Sequence, residues 1–134
     1  MNFDFKNKNI FISGGTHGIG LACAELFARY GGNIITFSRD NKKIINTKKK
    51  LSKYKIKSLI EKGNILDKDF PKEFALKILK KFKKIDILIH NVGGGGRWGY
   101  ENIFKTEDKV WEEVYDKNNR GIICFSKYFL PSML

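Results

Sequence analysis

Residues 13 to 20, SGGTHGIG, follow directly on the apolar run Ile10-Phe11-Ile12 and lead into an apolar series at helical spacing. A strand that turns into a helix through so much glycine leaves few folds open. The amides of a helix's first turn have no partner inside the helix, point outward and carry partial positive charge. A phosphate placed there is held by backbone donors, and it comes close only where the facing residues lack a Cβ. The spacing is G-x-x-x-G-x-G rather than G-x-G-x-x-G. Its place, between the first strand and the first helix of a parallel unit, is the one a phosphate-binding turn requires.

The rest of the chain supplies that unit. Lys8 to Ser13 reads as a short buried strand. Ile19, Ala22, Cys23, Leu26, Phe27 and Tyr30 form one helical face, stopped by Gly31-Gly32. Asn33 to Ser38 is a second strand, and 41–54 a polar helix with a thin stripe of Ile44, Ile45 and Leu51. Ile56 to Lys62 is a weaker third strand. Asp67 or Asp69 caps the next helix, Pro71 lies in its first turn, and Phe74, Ile78, Leu79 and Phe82 line one side. Ile85 to Asn91 is a fourth strand, followed by a glycine loop, Gly93 to Gly96. Thr106 caps a long helix carrying Val110, Trp111, Val114, Ile122, Phe125 and Phe129 and ending near Pro131. The order β-α-β-α-β-α-β-α predicts one Rossmann-like, doubly wound α/β domain with a parallel sheet over residues 1–134.

Composition narrows function less. With 26 Lys+Arg against 14 Asp+Glu the net charge is +12, which would suit a polyanionic partner. The lysines are scattered rather than interleaved with exposed aromatics, so they read as a solvated surface; a basic nucleic-acid-binding module is the remote alternative. Cys23 and Cys124 stand far apart, no CxxC occurs, and His17 and His90 are isolated. The expectation is two buried, reduced thiols in a cytoplasmic protein and no metal site. The stretch MNFDFKNKN has no apolar run, so no signal peptide is expected, and nothing reaches the roughly 18 apolar residues of a membrane span.

The glycine turn resembles the cofactor loop of the classical short-chain dehydrogenases/reductases, T-G-x-x-x-G-I-G, with Ser13 for the leading Thr. Three more segments resemble motifs of that family, in the family's order. His90-Asn91-Val92-Gly93 is similar to N-N-A-G at the end of strand four. Gly63-Asn64-Ile65-Leu66-Asp67 is similar to D-V-x-D after strand three, with Asn64 for the first Asp. Asn118-Asn119-Arg120-Gly121 is similar to N-x-x-G in the long helix. The resemblance implies that Gly14, Thr16, Gly18, Ile19 and Gly20 surround a pyrophosphate and the nearby ribose. It implies that Asn64 and Ile65 flank adenine, and that Asn91, Val92 and Gly93 support the nicotinamide side. Asn118 would be the catalytic asparagine, shaping a helix kink and holding a proton-relay water. The implied reaction is hydride transfer between a nicotinamide cofactor and a small-molecule carbonyl or alcohol.

An acidic residue ending strand two would accept from a ribose 2′-OH. Ser38 holds that slot and Arg39 follows. A hydroxyl tolerates a 2′-phosphate, a guanidinium binds it bidentately and a protonated His17 would add charge, so NADP(H) is favoured over NAD(H). Asp40, one residue further on, argues the other way. The family's Ser and Tyr-x-x-x-Lys, which handle the carbonyl and its proton, have no match. Tyr30, Tyr54, Tyr100 and Tyr115 lack a Lys four residues on, and Tyr128 stands close to Leu134. The expectation is the cofactor-binding half of an oxidoreductase, lacking the C-terminal strands of the full fold and inactive alone. The alternative is a catalytically inactive dinucleotide-binding remnant. Strand four would be an open edge, and the long helix would expose Val110, Trp111, Val114, Phe125 and Phe129 unless something packed on it, which fits a homo-oligomer in the full-length protein. Arg97-Trp98-Gly99-Tyr100 reads as a loop with aromatic anchors near the substrate's approach.

Overall fold

The computed structural model describes residues 3–94 and 104–134. Eight elements alternate: β1 (Asn9–Ile12), α1 (Gly18–Arg29), β2 (Asn33–Ser38), α2 (Asn41–Leu51), β3 (Ser58–Lys62), α3 (Phe70–Phe82), β4 (Ile87–Ile89) and α4 (Asp108–Met133). The strands form one parallel sheet in the order β3-β2-β1-β4. Ile10 is in register with Ile34 of β2 on one side and Ile87 of β4 on the other. The first two crossovers step outward from β1; α3 carries the chain back to its opposite side. This is the doubly wound α/β arrangement that the alternation predicted. Among the described residues no helix is long and apolar enough to cross a membrane.

Both faces of the sheet are covered, which is why its central strands read as unbroken apolar runs. Ile10 and Ile12 of β1 pack with Ala24 and Ala28 of α1 and with Ile44 and Leu51 of α2. Phe11, between them, points to the other layer. Its ring lies 4.5 Å from Phe125 and 5.0 Å from Phe129, and Phe37, Phe70 and Phe74 extend the cluster. Phe125 and Phe129, expected to lie open unless something packed on the helix, are both 0% exposed. A 26-residue helix carries more than one apolar stripe. The two Phe, one turn apart, take the stripe against the sheet, leaving Trp111, Tyr115, Ile122, Ile123 and Leu130 outside.

Other departures have similar causes. In α1 the buried stripe is Gly20, Ala24 and Ala28, while Ile19 is 78% exposed. Small residues let the helix sit close to the sheet, and a hydrophobicity pattern passes over them. In α2, Thr47 joins Ile44 and Leu51 inside and Ile45 is 67% exposed, because the buried positions follow i, i+3, i+7. Asp69 takes the N-cap position of α3, yet it is Asp67 whose carboxylate accepts from the Asp69 and Phe70 amides. The residue before α4 is Glu107, one later than Thr106, and α4 runs through Pro131 to Met133. A proline in the last turn costs only one backbone bond. Cys23 and Cys124 are free and half-buried rather than buried.

At the N-terminal ends of the strands a polar ladder joins all four. The Lys57 amide donates to Asn33 Oδ1, and Asn33 Nδ2 donates to Asn9 Oδ1 at 2.9 Å. Asn9 Nδ2 donates to the Phe82 and Lys84 carbonyls, and the Asn9 amide donates to Asp86 Oδ2 at 2.8 Å. Lys84 and Lys8 approach the other Asp86 oxygen at 2.9 and 3.8 Å. Burial pushes the Asp86 carboxyl up, but the Asn9 amide and the two ammonium groups outweigh it and hold it below the ordinary carboxylate range. A depressed folded pKa gives stability that is present above the unfolded value, about 3.9, and is lost as pH falls through the folded one. Asp86→Ala should lower stability at pH 7 by about 1–3 kcal/mol, since the Asn9 amide loses its acceptor. It should also flatten the fall in melting temperature below pH 5. Thermal denaturation followed by circular dichroism across that range checks both.

Candidate functional site

The reversal of strand order falls between β1 and β4. In open α/β sheets the crevice outside the carboxyl ends of the strands at such a point is where ligands bind. Here the turn after β1 and the segment after β4 bound it, and Ser13 fastens one to the other. Its amide donates to the Ile89 carbonyl at 2.9 Å. Its hydroxyl oxygen accepts from the Asn91 amide at 2.8 Å and the Val92 amide at 3.1 Å. Asn91 reciprocates, its Nδ2 donating to the Gly14 carbonyl at 3.2 Å. Thr36 of β2 does similar work: its hydroxyl accepts from the Gly15 amide at 2.8 Å and donates to the Ile12 carbonyl.

Against this frame the glycines divide their tasks. A Cβ on Gly20 would lie 2.3 Å from the Gly14 carbonyl oxygen and 2.5 Å from Asn91 Nδ2, so Gly20 lets α1 seat on the strand ends. Gly14 turns the chain with φ +72. Gly18 has φ +52, and a Cβ there would meet nothing within 4 Å. Its lost side chain leaves open space rather than a protein contact. Behind that space α1 begins at an extended His17, with no side-chain cap and no acidic residue in its first turn. α2 is the contrast: Asp40 accepts from the Lys42 amide at 2.8 Å and the Lys43 amide at 3.4 Å. The uncapped amino end of α1, facing open space across a glycine, is chemically an anion cradle.

The cleft in front of it has a volume of about 900 Å³, within the roughly 300–1,000 Å³ of small-molecule and cofactor sites. Gly14, Thr16, His17, Gly18 and Ile19 line it from the β1 turn. Ser38 and Arg39 line it from the end of β2, Asn64 and Ile65 from the loop after β3, and Asn91, Val92 and Gly93 from the end of β4. Of the residues expected to hold a cofactor, only Gly20 stands behind the wall instead of in it. Asn118 does not line this cleft but a separate depression along α4 with Trp111 and Tyr115. Its Oδ1 accepts from the Gly94 amide at 3.0 Å and its Nδ2 donates to the Val114 carbonyl, one helical turn earlier, at 2.7 Å. A Cβ on Gly93 would come within 2.7 Å of that Oδ1. Gly95, Gly96 and Arg97 to Tyr100 lie outside the described residues.

Lys43 of α2 also lines the cleft, near Arg39 in sequence, and was not anticipated. Neither were the polar hubs Ser13 and Thr36, both buried. A hydroxyl residue at or near the end of each central strand was their only signal. Asp40, the acidic residue that argued for NAD(H), spends its carboxylate on the first amides of α2. His90 is half-buried with Nε2 3.1 Å from Ser126 Oγ of α4, and burial holds its imidazole below the ordinary value.

Comparison with known proteins follows the same lines. A family model for short chain dehydrogenases matches residues 8–134. Dehydrogenase/reductase SDR family member 4 of Caenorhabditis elegans is 31% identical over 131 residues, covering 95% of this chain and 48% of its own length. L-rhamnose 1-dehydrogenase (NADP(+)) of Thermoplasma acidophilum is 33% identical over 116 residues, 86% of this chain and 44% of its own. Among solved structures, L-sorbose reductase from Gluconobacter frateurii, complexed with NADPH and L-sorbose, superposes with a TM-score of 0.90 at 24% identity, over 99% of this chain and 50% of that one. The NADH-dependent reductase A1-R′ superposes with a TM-score of 0.84 at 29% identity, over 96% of this chain and 52% of that one. The chain thus spans about half the length of these relatives.

The two helix-end glycines should respond differently to a methyl group. Gly20→Ala forces backbone apart and should cost about 3 kcal/mol or more, at the upper end of single-substitution effects. Gly18→Ala meets only the left-handed backbone penalty, about 1–2 kcal/mol. Chemical denaturation of the two variants compares them directly.

Proposed function

The chain belongs to the short-chain dehydrogenase family, and on that footing we propose that it carries the cofactor-binding half of a nicotinamide-dependent oxidoreductase. The reaction class is hydride transfer between the cofactor and a small-molecule carbonyl or secondary alcohol. The observation that carries the reading is the uncapped amino end of α1, opening across Gly18 onto a cleft at the β1/β4 switch point.

In this reading the first-turn amides of α1, with Gly14, Thr16, Gly18 and Ile19, hold the pyrophosphate, and Gly20 keeps the helix close enough to do so. Asn64 and Ile65 flank adenine. Asn91, Val92 and Gly93 support the nicotinamide side, and Asn118 braces that side by holding Gly94. The bound dinucleotide supplies the hydride-carrying ring. We favour NADP(H) over NAD(H). Arg39 and Lys43 both line the cleft beside Ser38, while the Asp40 carboxylate is engaged with α2 and is a poor acceptor for a ribose 2′-OH. The cofactor names of relatives pull both ways, one structure holding NADPH and another being named NADH-dependent. These residues do not include a Tyr-x-x-x-Lys pair, so we assign cofactor binding to them and not protonation of the carbonyl. A second reading, a nucleotide-binding protein that does not turn over, draws on the same observation.

Fluorescence titration tests the assignment. The protein should bind NADPH, and Gly18→Ala should weaken it at least about tenfold, about 1.4 kcal/mol. Unchanged affinity would remove the phosphate from α1. Arg39→Ala should cost NADPH about 1.5–3 kcal/mol, a charge-assisted hydrogen bond's worth, and leave NADH nearly unaffected. Equal losses would mean that Arg39 does not see the 2′-phosphate.

A further inference from the structure

We propose that Gly121 of α4 is a positioning residue for the adenine side of the cleft, acting through Ile65; this rests on the dinucleotide reading above. Gly121 is the one glycine in the 26 residues of α4 and is buried in the helix interior. Glycine is the least favourable residue there after proline, so its place calls for a packing reason. That reason is Ile65. A Cβ on Gly121 would lie 2.4 Å from Ile65 Cδ1 and 2.7 Å from Ile65 Cγ1.

Ile65 has little room to yield. It is 5% exposed and belongs to the aromatic-rich core with Phe125 and Phe129. Its loop is held by three contacts. The Gly63 amide donates to the Ser38 carbonyl at 2.9 Å, the Phe70 ring lies against the bare Gly63, and the Leu66 amide donates to Asn64 Oδ1 at 3.1 Å. A methyl at 121 therefore drives Ile65 toward the cleft it lines, into the volume assigned to adenine. The same helical turn carries Asn118, which holds Gly94 on the opposite flank. One turn of α4 thus braces both flanks of the cleft, by a bond at one end and by a missing side chain at the other.

The test is a double-mutant cycle on Gly121→Ala and Ile65→Ala, read by titration with NADPH and with 2′-phospho-ADP-ribose, which keeps the phosphorylated adenosine portion and lacks nicotinamide. Gly121→Ala alone should weaken both ligands by at least about tenfold. In the Ile65→Ala background, where nothing remains to be displaced, the same substitution should change neither. A clash that cost only stability would lower the melting temperature of Gly121→Ala, be relieved in the Ile65→Ala background, and leave the affinity of the folded protein for both ligands unchanged. Unchanged affinity in Gly121→Ala, or equal losses in the two backgrounds, overturns the positioning role while leaving cofactor binding intact. Should Gly121→Ala not fold, the double variant is compared with Ile65→Ala: equal affinities support the proposal and a tenfold difference overturns it. A wild-type protein that binds neither ligand overturns this inference together with the reading beneath it.

Discussion

A methyl group at position 20 would stand 2.3 Å from the Gly14 carbonyl oxygen, and its absence organises the upper edge of the sheet. With nothing in the way, α1 descends until its first turn meets the ends of β1 and β4. Two buried hydroxyls then take up the loop amides that a sheet cannot satisfy at its margin. Ser13 serves the amides of Asn91 and Val92, and Thr36 serves that of Gly15. Among the described residues no buried side-chain polar atom lacks a partner. A close approach governed by sterics thus becomes a rigid frame governed by hydrogen bonds, and it leaves the first turn of α1 without a side-chain cap.

The two ends of the sheet are built on opposite principles. At the lower end Asn9, Asn33 and Asp86 close every strand start with side-chain bonds. At the upper end Ser13, Thr36 and Asn91 bond only part of the margin, and Gly14 and Gly18 leave the rest without side chains. The core between them is continuous with the loops above it. Ile65 belongs to the same buried cluster as Phe11, Phe74 and Phe125, so the packing of α3 and α4 also sets one wall of the cleft. Stability and site geometry are therefore coupled on that face. On the other face α1 and α2 ride on small and aliphatic residues, and the cleft takes from them helix amino ends and the cations Arg39 and Lys43.

Much of this was legible in the chain because it rests on local chemistry. The β-branched run 33–38, Gly31 after α1, Pro71 in the first turn of α3 and the glycine turn each act within a few residues of themselves. The failures share a cause. The buried stripe of α1 is made of Gly20, Ala24 and Ala28, whose packing value lies in their smallness and which a hydrophobic period passes over. Periodicity identifies the stripe of Phe125 and Phe129 without saying which element covers it. Ser13 was read only as a stand-in for threonine, since its partners lie nearly eighty residues away. Asp40 was read as a possible ribose acceptor because its role as a cap depends on where α2 starts.

The amino-acid sequence by itself determined the order of elements, the positions that forbid side chains and the resemblance that names the family. It did so because propensity, capping and glycine's backbone freedom are properties of short segments. The resemblance already set the segments around residues 14–20, 38–39, 64–65 and 91–93 about one cofactor, but which strand lies beside which, the physical reason they share one cleft with Lys43, was decided only by the tertiary structure. Strand order and helix approach are settled by pairings and contacts between residues distant along the chain. The clearance at Gly18, the collision at Gly20 and the fit of Ile65 against Gly121 exist only once those pairings are made.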